Sequence, residues 1–246
     1  MTTDEFSNEF DTLLYSYADT ADVESLVLDE YEKSVYLTKS EEDIVQGLYN
    51  GTLSATAFEG TEALRSYLDP LVTTSVISTQ ETGYEPISDK SVFYKVPLEA
   101  WYVIYESVKF NDEALGCANV TVALVYPTTH DEFNRVKKNP FRGPDKSRVL
   151  RLNINNNIVE IVSNYTIENY TIRYIRAPKP IILTYLPDSD INGIKEKTEC
   201  ELNPVLHRLI LTSAVTMALK AKAVSRAPRG AQQQRAQQQK KKKKIK

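Results

Sequence analysis

Residues able to do chemistry are few in this chain, and their spacing gives them no common task. His130 and His207 are the two histidines. One precedes the run DEFNRVKK and the other sits inside an apolar run, both far from any serine or cysteine nucleophile motif. Such histidines read as surface or capping residues. Cys117 and Cys200 lack the CxxC spacing of a zinc or redox site and are too few for a disulfide scaffold. Asp188 with Asp190 and Glu199 with Glu201 are carboxylate pairs able to meet a divalent cation. Flanking Ser, Asn and Gly make them exposed loop positions instead, since a hard cation needs several converging oxygens. No GxSxG, HExxH, P-loop or GxGxxG sequence occurs. The expectation is no catalytic residue, no metal and no cofactor, and a metal-dependent hydrolase has no ligand cluster to stand on.

What the chain does carry is charge. Its 246 residues have a net charge of −3, but the sum hides two opposed parts. From Lys220 onward there are eleven basic residues and no acid, leaving 19 basic and 33 acidic residues before it. The end, AQQQRAQQQKKKKKIK, places Arg235, Lys240, Lys241, Lys242, Lys243, Lys244 and Lys246 as the candidate partner-binding residues. Poly-lysine of this kind meets phosphates, meets an acidic protein surface, or stays a solubilising end. With no apolar face it cannot offset an ordering entropy of about 1–2 kcal/mol per residue, so order is expected only on assembly. Residues 1–45 carry thirteen acids against Lys33 and Lys39, which makes them a candidate partner. The acidic body argues against a nucleic-acid-binding domain, although a module acting through the tail is the alternative reading.

The elements that hold these residues follow from pattern. Phe6, Phe10, Leu13, Leu14 and Tyr17 predict an amphipathic helix over 3–17. A second helix is expected through 28–37, and Thr38 with Glu41 reads as a capping box opening a third, stopped at Asn50-Gly51. A short helix over 61–68 ends at Asp69-Pro70. Residues 73–90, rich in Ser and Thr, read as a passage. Strands are expected at 92–96, 101–110, 118–126, 148–154, 158–163, 170–177 and 181–186. The strands 148–154 and 158–163 form a hairpin around Asn155–Asn157, and Thr129 opens a short helix before the loop NPFRGP. Asn203 and Pro204 start a helix reaching about Arg226 that is apolar nearly all round, a central helix in need of partners. The fold class expected is α+β: a helical bundle built from residues 1–72 and 201–226, with a β-rich insertion at 73–200 and a basic tail at 227–246. The fifteen tyrosines suit cross-strand packing and protein interfaces equally. The N-terminus MTTDEFSNEF lacks a signal peptide's basic and apolar regions, and no apolar run is long enough to span a membrane, so an intracellular product is expected.

Four stretches together resemble a known family: YLTKSEEDIVQGLYNG (36–51), THDEFNRVKKNPFRGP (129–144), YIRAPKPIIL (174–183) and ELNPVLHRLILTSAVTMAL (201–219). They are similar to the head–tail connector, or neck adaptor ring, proteins of crAss-like short-tailed bacteriophages. The resemblance implies a virion protein made in the host bacterial cytoplasm, forming a ring of twelve copies below the portal. That ring would extend the channel for genomic DNA and receive further neck or tail proteins, with no enzymatic activity. An acidic lining suits such a duct, because like charge keeps the duplex from sticking.

Overall fold

The computed structural model describes residues 1–17, 27–53, 60–118, 121–155 and 157–226. The chain divides into two compact units, residues 1–70 with 178–246 and residues 71–177.

In the first unit, α1 (Thr3–Tyr17) buries Phe6, Phe10 and Leu14, the i, i+4, i+8 stripe of an amphipathic helix. The second helix, α2, runs unbroken over Glu30–Asn50. Asp29 caps it by accepting the Glu32 N–H at 2.7 Å, and Gly51 stops it in the left-handed conformation. The break expected at Thr38 is therefore absent. Thr38 instead turns its hydroxyl inward, accepting the Ile181 N–H at 3.1 Å, while the Ser34 hydroxyl accepts the Leu183 N–H at 3.0 Å. The short helix α3 (Glu62–Leu68) starts at Thr61 as expected.

Residues 178–203 run without regular structure. They are held by two isolated bridges, Ile182 with Thr198 and Ile191 with Ile194, and by the hydroxyls of α2. The strand expected at 181–186 is thus no part of the sheet. Ile181, Ile182 and Leu183 are buried because this strap packs in the helical unit. The last described helix, α5 (Pro204–Arg226), contacts α1 and α2. Asn203 accepts the Val205 N–H through its side chain and the Leu206 N–H through its carbonyl. Leu206, Ile210, Leu211, Ala214, Val215 and Ala218 form one buried stripe, while Val205 and Leu209 are exposed. So α5 is a one-sided amphipathic helix and not apolar on every side.

The second unit is a seven-stranded mixed sheet in the order β1-β7-β3-β4-β5-β6-β2. Its strands are β1 (Val72–Ile77), β2 (Val92–Lys95), β3 (Ala100–Phe110), β4 (Val122–Pro127), β5 (Arg148–Asn153), β6 (Ile158–Val162) and β7 (Ile167–Arg176). Part of the passage expected at 73–90 is thus the strand β1, in register with β7 from Val72–Ile175 to Ile77–Tyr170. Neighbours are antiparallel except β4 and β5, which are parallel and joined by a crossover containing α4 (His130–Lys137). Tyr94 on β2 lies 5.4 Å, centroid to centroid, from Tyr170 on β7, so the sheet curls until its far strands share one core. Val108, Phe110, Val125, Val149, Ile161 and Ile172 fill it. On the other side of β5 and β6, Phe133 of α4 packs on Leu150, Leu152 and Val162. Burial on both faces explains why every residue of β6, IVEIV, is buried.

These facts correct the fold class. The protein is mixed α+β with the seven-stranded sheet as its largest element, and five α-helices occur among the described residues. It is not a helical bundle carrying a β insertion. Three helices and an irregular strap share the helical core, whereas a bundle requires helices on all sides of α5.

Candidate interaction surfaces

The residues first considered for chemistry are dispersed. The exposed His130 ring bonds the Asn153 carbonyl at 2.9 Å. His207 is buried, a departure from the surface role expected of it. Its Nε2 donates to the Leu202 carbonyl at 3.1 Å, its Nδ1 accepts from the Met1 amino group at 2.8 Å, and its ring is 5.3 Å from that of Phe6. Burial, opposed by the Leu202 carbonyl and aided by the Met1 charge, holds its pKa below the ordinary value of 6.5. Cys200 donates to Glu41 at 3.3 Å, and burial followed by the Glu41 charge pushes its thiol far up, so it is a poor nucleophile. Asp188, Asp190 and Glu199 are exposed, Glu201 pairs with Lys179 at 3.1 Å, and no metal-holding group of His, Cys, Asp or Glu is found among the described residues. The tail residues Arg235, Lys240, Lys241, Lys242, Lys243, Lys244 and Lys246 lie outside the described residues, as do parts of the expected strand 118–126 and turn 155–157.

Buried charge in the sheet unit is structural. Arg151 donates to Glu106 at 2.8 Å and Tyr170 donates to the same carboxylate oxygen. Burial first, then the Glu106 charge, pushes the Tyr170 phenol far above its ordinary range, so it stays a donor. On β6, Glu160 accepts the Ile87 N–H at 2.7 Å and the Ser91 hydroxyl at 2.5 Å. It thereby fastens the chain before β2 over the sheet.

Two surfaces differ from the rest. The first is a groove of about 470 Å³ lined by Tyr126, Glu132, Val136, Phe141, Arg142 and Arg148, among others. Its wall is the loop 139–144. The Asn139 side chain accepts the Phe141 N–H at 2.9 Å, and its carbonyl accepts those of Arg142 and Gly143 at 3.2 and 2.7 Å. Arg148 donates to the Phe141 carbonyl and stands 4.8 Å from the Tyr126 ring. A Cβ at Gly143 would come within 2.8 Å of the Lys137 carbonyl, so this tight turn excludes any side chain there. The loop holds Phe141 at 86% exposure.

The second surface is α1. It has no basic residue, and Asp4, Glu5, Glu9 and Tyr15 are exposed on it. Nearby on α2, Lys33 is buried and reaches Asp11 at 2.7 Å and Glu30 at 3.0 Å. Burial opposes its charge, but those two partners outweigh it and raise its pKa. Comparison with known proteins gives the family. The family model described as phage tail ring protein 3/4 matches residues 1–229.

The chain belongs to that family.

It is similar to Ring protein 3 of Bacteroides phage crAss001, with 45% identity over 225 residues covering 90% of this chain and 96% of that protein. It is also similar to Ring protein 4/5 of the same phage, with 33% identity over 234 residues covering 90% of this chain and 93% of that protein. Family membership makes it a structural ring protein of the crAss-like phage type and a component of the virion. Among the described residues, no helix is long and apolar enough to cross a membrane. From sequence, Phe141 and Arg142 read only as part of a loop and Arg148 only as the start of a strand. The available signal was charge, since six basic residues stand against three acidic ones between residues 130 and 148 of an acidic body.

Proposed function

We propose that this ring protein is a head–tail connector: a closed ring of twelve copies in the phage neck, below the portal. It would extend the channel for genomic DNA and seat further ring or tail proteins. The observation that carries this reading is the family match across residues 1–229, which spans both compact units and leaves out most of the basic tail. In a ring, each copy presents one face forward and a different face backward. The acidic body suits a duct through which DNA must slide. The tail residues Arg235, Lys240 to Lys244 and Lys246 are proposed to gain order in the particle, on carboxylates of a neighbour or phosphates of packaged DNA. A separate reading as a nucleic-acid-binding module rests on that tail alone.

Cross-linking of purified particles followed by mass spectrometry tests the proposal. Links from this chain to itself, to the portal and to another ring or tail protein are expected. Links only to capsid or only to internal proteins would overturn the neck position.

A further inference from the structure

We propose that the loop 139–144 is a plug: Phe141 and Arg142 of one copy dock on the acidic α1 surface of a second copy, head to tail. The inference rests on the ring reading and names the surfaces that would build it.

Phe141 is the most exposed large hydrophobic side chain among the described residues, at 86%. A phenylalanine left in water forgoes the favourable burial of its ring. Its loop is not loose. Asn139 caps it three ways, Arg148 grips the Phe141 carbonyl, the Asn164 side chain donates to the Pro144 carbonyl at 2.6 Å, and Gly143 allows the tight turn. A side chain presented by a pre-ordered backbone loses little further entropy on docking. Aromatic and arginine anchors are also the residues that dominate protein interfaces. The contacts around Phe141 thus fix its backbone in place, and none of the described residues covers its ring.

Charge identifies the occupant. The plug and its flanks are basic within an acidic body, with Arg142 and Arg148 in the groove. Their complement lies on the same polypeptide. Residues 1–32 contain no lysine or arginine, and α1 exposes Glu5 and Glu9, while Asp4 beside them is paired with Lys197 at 2.9 Å. Two surfaces of opposite sign on one chain make a heterologous contact, the kind that propagates until a ring closes. DNA fits the plug less well, because an exposed phenylalanine adds nothing to a phosphate contact and Glu132 shares the groove.

Two variants of the full-length chain test this, F141A/R142E in the plug and E5K/E9K on α1. All four positions are exposed, so each variant should keep the wild-type circular dichroism, although E5K/E9K gives up the Glu5 carboxylate that accepts the Thr2 N–H at 2.8 Å and should melt slightly earlier. Light scattering and native mass spectrometry then read self-association. Wild type should form the closed species, and each variant alone should weaken association about tenfold or more. Mixing the two should yield mainly a one-to-one pair, since one intact plug and one intact α1 surface are available and the second contact, with its charges reversed on both sides, lacks the Phe141 anchor. That pairing also shows that both variants are folded. Deleting residues 235–246 separates the tail from the plug, and the pair should survive it. Wild-type-sized assemblies from both variants would overturn the plug while leaving the ring reading intact. A wild-type chain that stays monomeric would overturn both. Loss of duplex DNA binding in F141A/R142E with self-association unchanged would assign the plug to DNA and overturn the proposal.

Discussion

Individual side chains here mostly serve one structural demand, satisfying buried polar atoms. Glu106 shows this, with Arg151 and Tyr170 both donating to one of its oxygens. Arg151→Ala strips the buried carboxylate of its cation and should cost about 3 kcal/mol in chemical denaturation. Adding Glu106→Gln to that variant should recover much of the loss, because the uncompensated charge is then gone. Little change from Arg151→Ala would contradict the buried-pair account. His207 gives a pH dependence of known sign. Its folded pKa lies below the ordinary 6.5, so the stability contributed by the neutral ring is complete above pH 6.5. It is lost as pH falls through the folded value. The unfolding free energy should be level down to about pH 6.5 and then decline, and His207→Gln should remove the first part of that decline. None of these pairings was legible in the sequence. Glu106, Arg151 and Tyr170 are far apart along the chain and meet only through strand register.

Elements were legible where a local pattern matched the final packing. The Phe6, Phe10 and Leu14 stripe of α1, the Thr61 and Thr129 caps and the β5–β6 hairpin stand where sequence puts them, whereas Leu13 is half-buried and Tyr17 exposed. Most of the differences share a cause, which is packing against a segment distant in the chain. Thr38 and Glu41 look like a helix start because the buried strap that needs the Thr38 hydroxyl lies 143 residues away. In the same way, Ile181–Leu186 reads as a strand because it is apolar, yet it covers helices. The strand β1 hides because Val72–Ile77 alternates weakly. Thr38→Val tests the strap directly. It keeps the side chain's shape but leaves the Ile181 N–H unpaired, so it should destabilise the chain by about 1–3 kcal/mol. Hydrogen exchange should also quicken first at Ile181 to Leu183. Unchanged exchange there would show that the hydroxyls do not hold the strap.

For the whole molecule, the same reasoning separates what composition can say from what assembly must supply. Bipartite charge and the absence of a reactive motif pointed toward a scaffold, and the family match gives that scaffold its ring. The apolar sequence of α5 predicts a bundle that the structure does not form. Val205 and Leu209 remain exposed on α5, and a single chain gives its sequence no reason to keep them so. The most direct measurement is electron cryomicroscopy of the neck of purified particles. A ring of copies of this chain between portal and tail is predicted, with Phe141 of each copy against α1 of the next and the acidic body around the DNA path. A neck that contains no density for this fold, or a chain found only as isolated copies elsewhere in the particle, would contradict the account.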